Sequence, residues 1–218
     1  MTISQARDFA RTLIQIKAIQ LNPQNPFTWA SGLRSPIYCD NRMVLSYPDA
    51  RNKAKQALIS LAENFTNIDA IAGVATAGIP HGALLADALN LPFIYVRSKP
   101  KEHGRQNLIE GHFEKGQKVL VIEDLISTGG SSLEAIRALK ENGLEVLACL
   151  ALFTYEFPES VQRFKEENCP LFYISSYTIL LEEALATGYI DATQKDILAY
   201  WKNDPKNWYQ HLQNTTVS

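Results

Sequence analysis

The sequence is poor in the features that mark secreted, membrane-spanning or metal-clustered proteins. Its three cysteines, Cys39, Cys149 and Cys169, are odd in number, widely spaced and never in a C-x-x-C. That pattern supports neither a disulfide framework nor a zinc site and fits reduced thiols in the cytosol. His81 and His112 lack ligand spacing, which argues against a metal centre built from histidines. The longest apolar run, Val146 to Phe153, falls far short of the ~20 residues a membrane-spanning helix needs. The opening stretch MTISQARDFARTLIQIKAIQ has no apolar segment followed by a small-residue cleavage site. A cytoplasmic location is therefore expected. A basic surplus is also missing: the net charge is −2, which weighs against broad nucleic-acid binding. Neither the Walker pattern G-x-x-x-x-G-K-[ST] nor G-x-G-x-x-G occurs.

What is present is an ordinary globular composition, 46% hydrophobic and 20% charged over 218 residues, enough for one sizeable domain. Short, largely unbroken apolar runs recur at 68–74, 92–96, 118–122, 145–153 and 171–174. Helical patterns lie between most of them, including 79–90 and 131–142. Continuous apolar strands alternating with helices predict an α/β fold with an open, mostly parallel sheet covered on both faces. An amphipathic helix is predicted over 3–20, and short strands with a hairpin over 22–42. After 176 two helices are expected around Gly188. No repeat or linker interrupts the chain, which reads as one domain: an extension, 1–47, on a core, 48–218. The polar stretch 97–117 is long for a compact domain, and such loops tend to be functional.

The densest chemistry lies in VLVIEDLISTGGSS (119–132). An apolar strand runs into two carboxylates, Glu123 and Asp124, and then into a glycine turn that opens a helix. In open parallel sheets ligands sit beyond the carboxyl ends of the strands. The turn offers backbone N–H groups, a helix N-terminus and the hydroxyls of Ser127, Thr128 and Ser131, which suits a phosphate monoester. The two acids would repel that phosphate and make sense facing sugar hydroxyls or a divalent cation. A site wanting all three describes a phosphorylated ribose.

This stretch resembles the phosphoribosyl-pyrophosphate (PRPP) signature of type I phosphoribosyltransferases. Three more resemble the orotate phosphoribosyltransferases in particular: FTWASGLRSPIYCDNR (27–42), GVATAGIPHGALLADALNLP (73–92) and YVRSKPKEHGRQNLIEG (95–111), the last similar to a mobile catalytic loop. The resemblance extends over most of residues 1–200. It implies transfer of a phosphoribosyl group from PRPP to orotate in pyrimidine biosynthesis. Residues 1–47 would then form a hood over a PRPP-binding core. Glu123, Asp124, Leu125, Ile126, Ser127, Thr128, Gly129, Gly130 and Ser131 would hold PRPP, with Arg97, Lys101 and His103 on its pyrophosphate. Lys101, Asp124 and Glu123 are the expected catalytic residues, and Ser127, Tyr38 and Arg34 the expected orotate contacts. Mg²⁺ is the expected cofactor, held mainly by PRPP's own oxygens rather than by protein ligands. The resemblance further implies a homodimer whose 97–111 loop reaches the neighbouring site. Three positions depart from the family pattern: Ala30, Ser98 and Tyr155 stand where many members carry basic residues, leaving Arg34 and Arg42 as candidates to anchor orotate's carboxylate.

Two other readings remain open at this point. One is transfer to another base, such as a purine. The other is a non-catalytic PRPP sensor that binds nucleic acid, disfavoured by the retained Arg97, Lys101 and His103 and the negative net charge.

Overall fold

The computed structural model describes residues 1–29, 32–98, 108–210 and 212. Helix α1 (Ile3–Gln15) begins with a capping box in which the Thr2 hydroxyl accepts from the Gln5 N–H and the Gln5 side chain accepts from the Thr2 N–H. Each satisfies an otherwise orphaned donor. The expected hairpin region forms two small antiparallel pairs: β1 (Ile19–Leu21) with β4 (Ile37–Cys39), and β2 (Phe27–Thr28) with β3 (Arg34–Ser35). A 3₁₀ turn over Asn41–Ser46 leads to α2 (Pro48–Ala62). Proline at its start loses no helical hydrogen bond.

The core then runs β5 (Ala70–Val74), α3 (Gly78–Leu89), β6 (Phe93–Val96), β7 (Ile109–Glu110), β8 (Lys118–Ile126), α4 (Gly130–Glu141), β9 (Glu145–Thr154), α5 (Pro158–Glu166) and β10 (Leu171–Ser176). Two helices close it, α6 (Tyr177–Ala186) and α7 (Ala192–Asn203). One sheet has the order β10-β9-β8-β5-β6-β7. All neighbours are parallel except β6 and β7.

The apolar runs lack polar alternation because both faces are covered. On β8, Leu120 and Ile122 join a core with Phe9, Leu13 and Leu58 of α1 and α2. Val119 and Val121 join a second core with Leu133, Ile136 and Leu139 of α4. Period-two alternation thus survives, with apolar residues in both phases.

Chain order places the switch point. From β5 the chain steps outward to β6; from β8 it steps the other way, through β9 to β10. The connections diverge between β5 and β8, and a crevice opens beyond their carboxyl ends. The structure differs from expectation in where β8 stops. The strand continues through both acids to Ile126, because β9 pairs with it as far as Ile126 opposite Thr154. Its pairing with β5 ends with Gly73 opposite Ile122. From Glu123 onward β8 has a neighbour on one side only, so its acids border the crevice while still held in a strand. Two elements were not anticipated. Strand β7 lies inside the stretch read as loop, and α5 spans a polar segment.

Candidate active site

The crevice is a cavity of about 640 Å³. The Ala75–Ala77 turn after β5 and the acids of β8 form part of its wall, joined by the turn and first residues of α4, Ser127 to Ser132. Cys39, Asp40 and Arg42 of the N-terminal extension complete it.

The α4 side is built for an anion. Gly129 has φ +79, the left-handed region that glycine enters without penalty. It orients the chain so that α4 starts with no side-chain cap. The uncapped N–H groups and the positive end of the helix dipole face the cavity. The opposite turn is packed tightly. A Cβ on Gly78 would collide with the carbonyl oxygen of Ile122, so this glycine lets the start of α3 lie directly against β8. The Ala75–Thr76 peptide is cis.

The two acids have different surroundings. Glu123 is buried; its Oε2 accepts from the Ser132 hydroxyl at 2.9 Å and its Oε1 from the Asp124 N–H at 3.0 Å. Burial, and then the charge of Asp124, hold its pKa well above the usual carboxylate range. Asp124 is raised too, chiefly by burial, against which hydrogen bonding to Glu123 and to backbone N–H groups acts. Both carboxyls are therefore harder to ionise than free ones, Glu123 the more so. The backbone carbonyl of Asp124 accepts from the buried Asn41 amide at 2.7 Å, which ties the extension to the strand end. Cys39 bonds the same asparagine through its thiol, at 3.4 Å. Burial pushes that thiol far up, followed by the charge of Asp124. It is a wall residue, not a nucleophile.

The other expected residues are placed as follows. Leu125, Ser127, Thr128, Gly129, Gly130 and Ser131 line the cavity together with the acids, while Ile126 is buried in the core. Arg97 stands at the end of β6, paired with Glu110 at 3.3 Å. It lines a small adjoining pocket that shares Ala75 and Ser131 with the main one. Lys101 and His103 lie outside the described residues. Tyr38 packs against Phe27, ring centroids 5.8 Å apart, and Arg34 lies over the Tyr209 ring; neither lines the cavity. Tyr155 is buried among Trp29, Phe153, Phe157, Tyr177 and Trp201. Asp40 and Arg42 were not singled out together as wall residues, although the run D-N-R directly after β4 carries both.

The phosphoribosyl transferase domain family matches residues 42–175. The orotate phosphoribosyltransferase of Phocaeicola vulgatus is 54% identical over 201 residues, 92% of this chain and 95% of that protein. The chain belongs to the orotate phosphoribosyltransferase family. Among solved structures, the orotate phosphoribosyltransferase of Aeropyrum pernix superposes with a TM-score of 0.72 at 29% identity, over 84% of this chain and 99% of that one. UMP synthase of Leishmania donovani gives 0.75 at 26% identity over 90% of this chain, which spans 42% of that longer protein. Family membership and the crevice coincide: the matched residues 42–175 contain β5, β8 and the start of α4, which supply most of its wall.

Proposed function

We propose that this orotate phosphoribosyltransferase family member transfers the 5-phosphoribosyl group of PRPP to orotate, giving orotidine 5′-monophosphate and pyrophosphate on the route to UMP. The observation that carries the reading is the pairing, in one cavity at the switch point, of an uncapped helix start with two adjacent carboxyls, Glu123 and Asp124. A 5′-phosphate suits the turn from Thr128 to Ser131. Ribose hydroxyls suit Asp124, whose charge also favours the positive ring that develops as pyrophosphate leaves. Glu123 backs Asp124, accepting from its backbone N–H and from the Ser132 hydroxyl. Small residues at Ala75–Ala77 let the backbone approach the pyrophosphate. Arg97, beside this turn, supplies positive charge from the β6 side, and Lys101 and His103 are assigned to the same leaving group. Segment 97–111 would close over the substrates and exclude water from the reacting carbon.

The donor set fits Mg²⁺: carboxylate is a hard oxygen ligand, and a cavity of this size has room for retained waters. Asp124, backed by Glu123, would hold the ion, with PRPP supplying most of the direct ligands. When bound, it neutralises charge on the departing pyrophosphate. We assign residues 1–47 as a hood over a core of 48–218, in one domain, acting as a cytoplasmic homodimer.

The test follows orotate absorbance with PRPP and Mg²⁺, with uracil and hypoxanthine as parallel acceptors. Orotate is expected to be consumed fastest. No loss of orotate would refute the reading, and faster use of hypoxanthine would replace it with a purine activity. Lys101→Ala should lower kcat by about tenfold or more with PRPP binding retained, since a charge on the leaving group acts mostly in the transition state.

A further inference from the structure

Orotate differs from uracil by one carboxylate on its ring. A site that selects orotate needs a cation where the base lies, and acids there would repel the substrate. The cavity wall carries three acids, Asp40, Glu123 and Asp124. Among its described lining residues Arg42 is the single basic side chain. Arg34 does not line the cavity; its guanidinium sits 5.7 Å from the Tyr209 ring centroid.

Arg42 is held in a particular orientation. Its Nε donates to Asp40 Oδ1 at 2.6 Å and its Nη2 to Oδ2 at 2.9 Å. The Arg42 backbone N–H also donates to Oδ1, at 3.2 Å. Asp40 therefore takes one flank of the guanidinium. Of five N–H donors, those on Nη1 and the second on Nη2 have no hydrogen-bond acceptor among the described residues. Nη1 and Nη2 together present two parallel N–H groups, the fork that matches a carboxylate. The Arg42 side chain is 67% exposed, against 19% for Asp40. The clamp is thus largely covered while the cation remains open to a ligand.

We infer that Arg42, oriented by Asp40, receives the ring carboxylate of orotate on its Nη1–Nη2 edge and so sets the preference for orotate over an uncharged pyrimidine. This rests on the orotate reading above. Arg42 touches substrate and determines specificity. Asp40 is a positioning residue that acts through it.

Orotidine 5′-monophosphate and UMP separate the two, because they differ only in that carboxylate. Calorimetric titration of each into wild type, Arg42→Ala, Arg42→Lys and Asp40→Ala is the experiment. Arg42→Ala should weaken orotidine monophosphate by roughly 10- to 100-fold, the range for a charge-assisted contact, and leave UMP unchanged. Unchanged UMP affinity also reports an intact fold. Arg42→Lys should restore part of the loss, as a point charge without the fork, and Asp40→Ala should give a smaller loss confined to orotidine monophosphate. In turnover, the KM for orotate should rise with the KM for PRPP unaltered. Equal weakening of both nucleotides, or orotidine monophosphate binding at wild-type strength in Arg42→Ala, would overturn the assignment while orotate turnover by wild type leaves the function standing. Wild type that does not consume orotate would overturn the function and this inference together.

Discussion

Glu123 and Asp124 are adjacent in sequence, and burial prevents both from ionising cheaply. Glu123 takes the costlier position, with its pKa raised well above the ordinary 4.5 first by burial and then by Asp124. A folded-state pKa above the unfolded one means the native protein binds the extra proton. Stability of the free protein therefore falls as pH rises from about 4.5 through the raised value, then levels off. Glu123→Gln keeps an oxygen acceptor and removes the titration. Urea midpoints from about pH 5 to about pH 8 should show the variant gaining on wild type as pH rises. A constant difference would mean that Glu123 is already ionised at the lower end. His81 acts in the opposite direction: buried, with Nε2 unpartnered, its pKa falls to about 4, so its contribution is lost as pH drops from 6.5. Both proteins carry it, and it cancels in their difference. The acid pair itself was legible in E-D before S-T-G-G. Its division of roles was not, because that depends on Ser132 reaching Glu123 and on the depth of each carboxyl. Arg42 was visible only as one of two candidate arginines. What separates it from Arg34 is place: Arg42 lines the cavity, whereas Arg34 lies over Tyr209, far along the chain.

Among elements, the β5–α3–β8 contact decides the site's shape. Gly78 brings α3 so close to β8 that no side chain fits between them. Gly78→Ala should force the helix outward and cost about 1–3 kcal/mol, the usual range for overpacking. The turn at Ala75–Ala77 should move with it. Chemical denaturation measures the first effect and the KM for PRPP the second. A variant of wild-type stability would show that α3 can shift freely. The five parallel strands were legible as five apolar runs, since burial on both faces leaves no other pattern. The end of β8 was not, because polarity suggested a boundary at Glu123 and the pairing with β9 continues past it. Strand β7 is two residues long, below what periodicity can register, and owes its place to pairing with Tyr95 and Val96. The segment containing α5 has few apolar residues, yet Phe164 seats it against the α4 side of the sheet, and Arg137 and Lys140 of α4 bond Glu167 just beyond it.

For the whole molecule, the proposed dimer makes a prediction that no single-site variant can. If segment 97–111 of one subunit serves its partner's cavity, Lys101→Ala and Asp124→Asn damage different sites when mixed. Each heterodimer then holds one site with both residues intact. Two nearly inactive proteins should regain turnover after subunit exchange; no recovery, with exchange proven by mass, would place each loop over its own site. The extension is itself fastened to the core at several points. Asn41 reaches Asp124, Arg11 pairs with Glu183 of α6 at 2.7 Å, and Trp208 donates to Arg34 at 3.0 Å. The sequence suggested the extension but not its attachment, which draws on residues far apart in the chain.

That attachment has an optical consequence. The protein has three tryptophans, and all of them lie along the seam between extension and core. Trp29 stacks on Tyr155 and meets Trp201 edge-on, and Trp208 is tethered to Arg34. None lies in the rest of the sheet or on α2 to α6. Indole emission at long excitation wavelengths therefore comes from that seam alone, and the unmodified protein carries its own gauge of how the N-terminal segment packs on the sheet and its C-terminal helices.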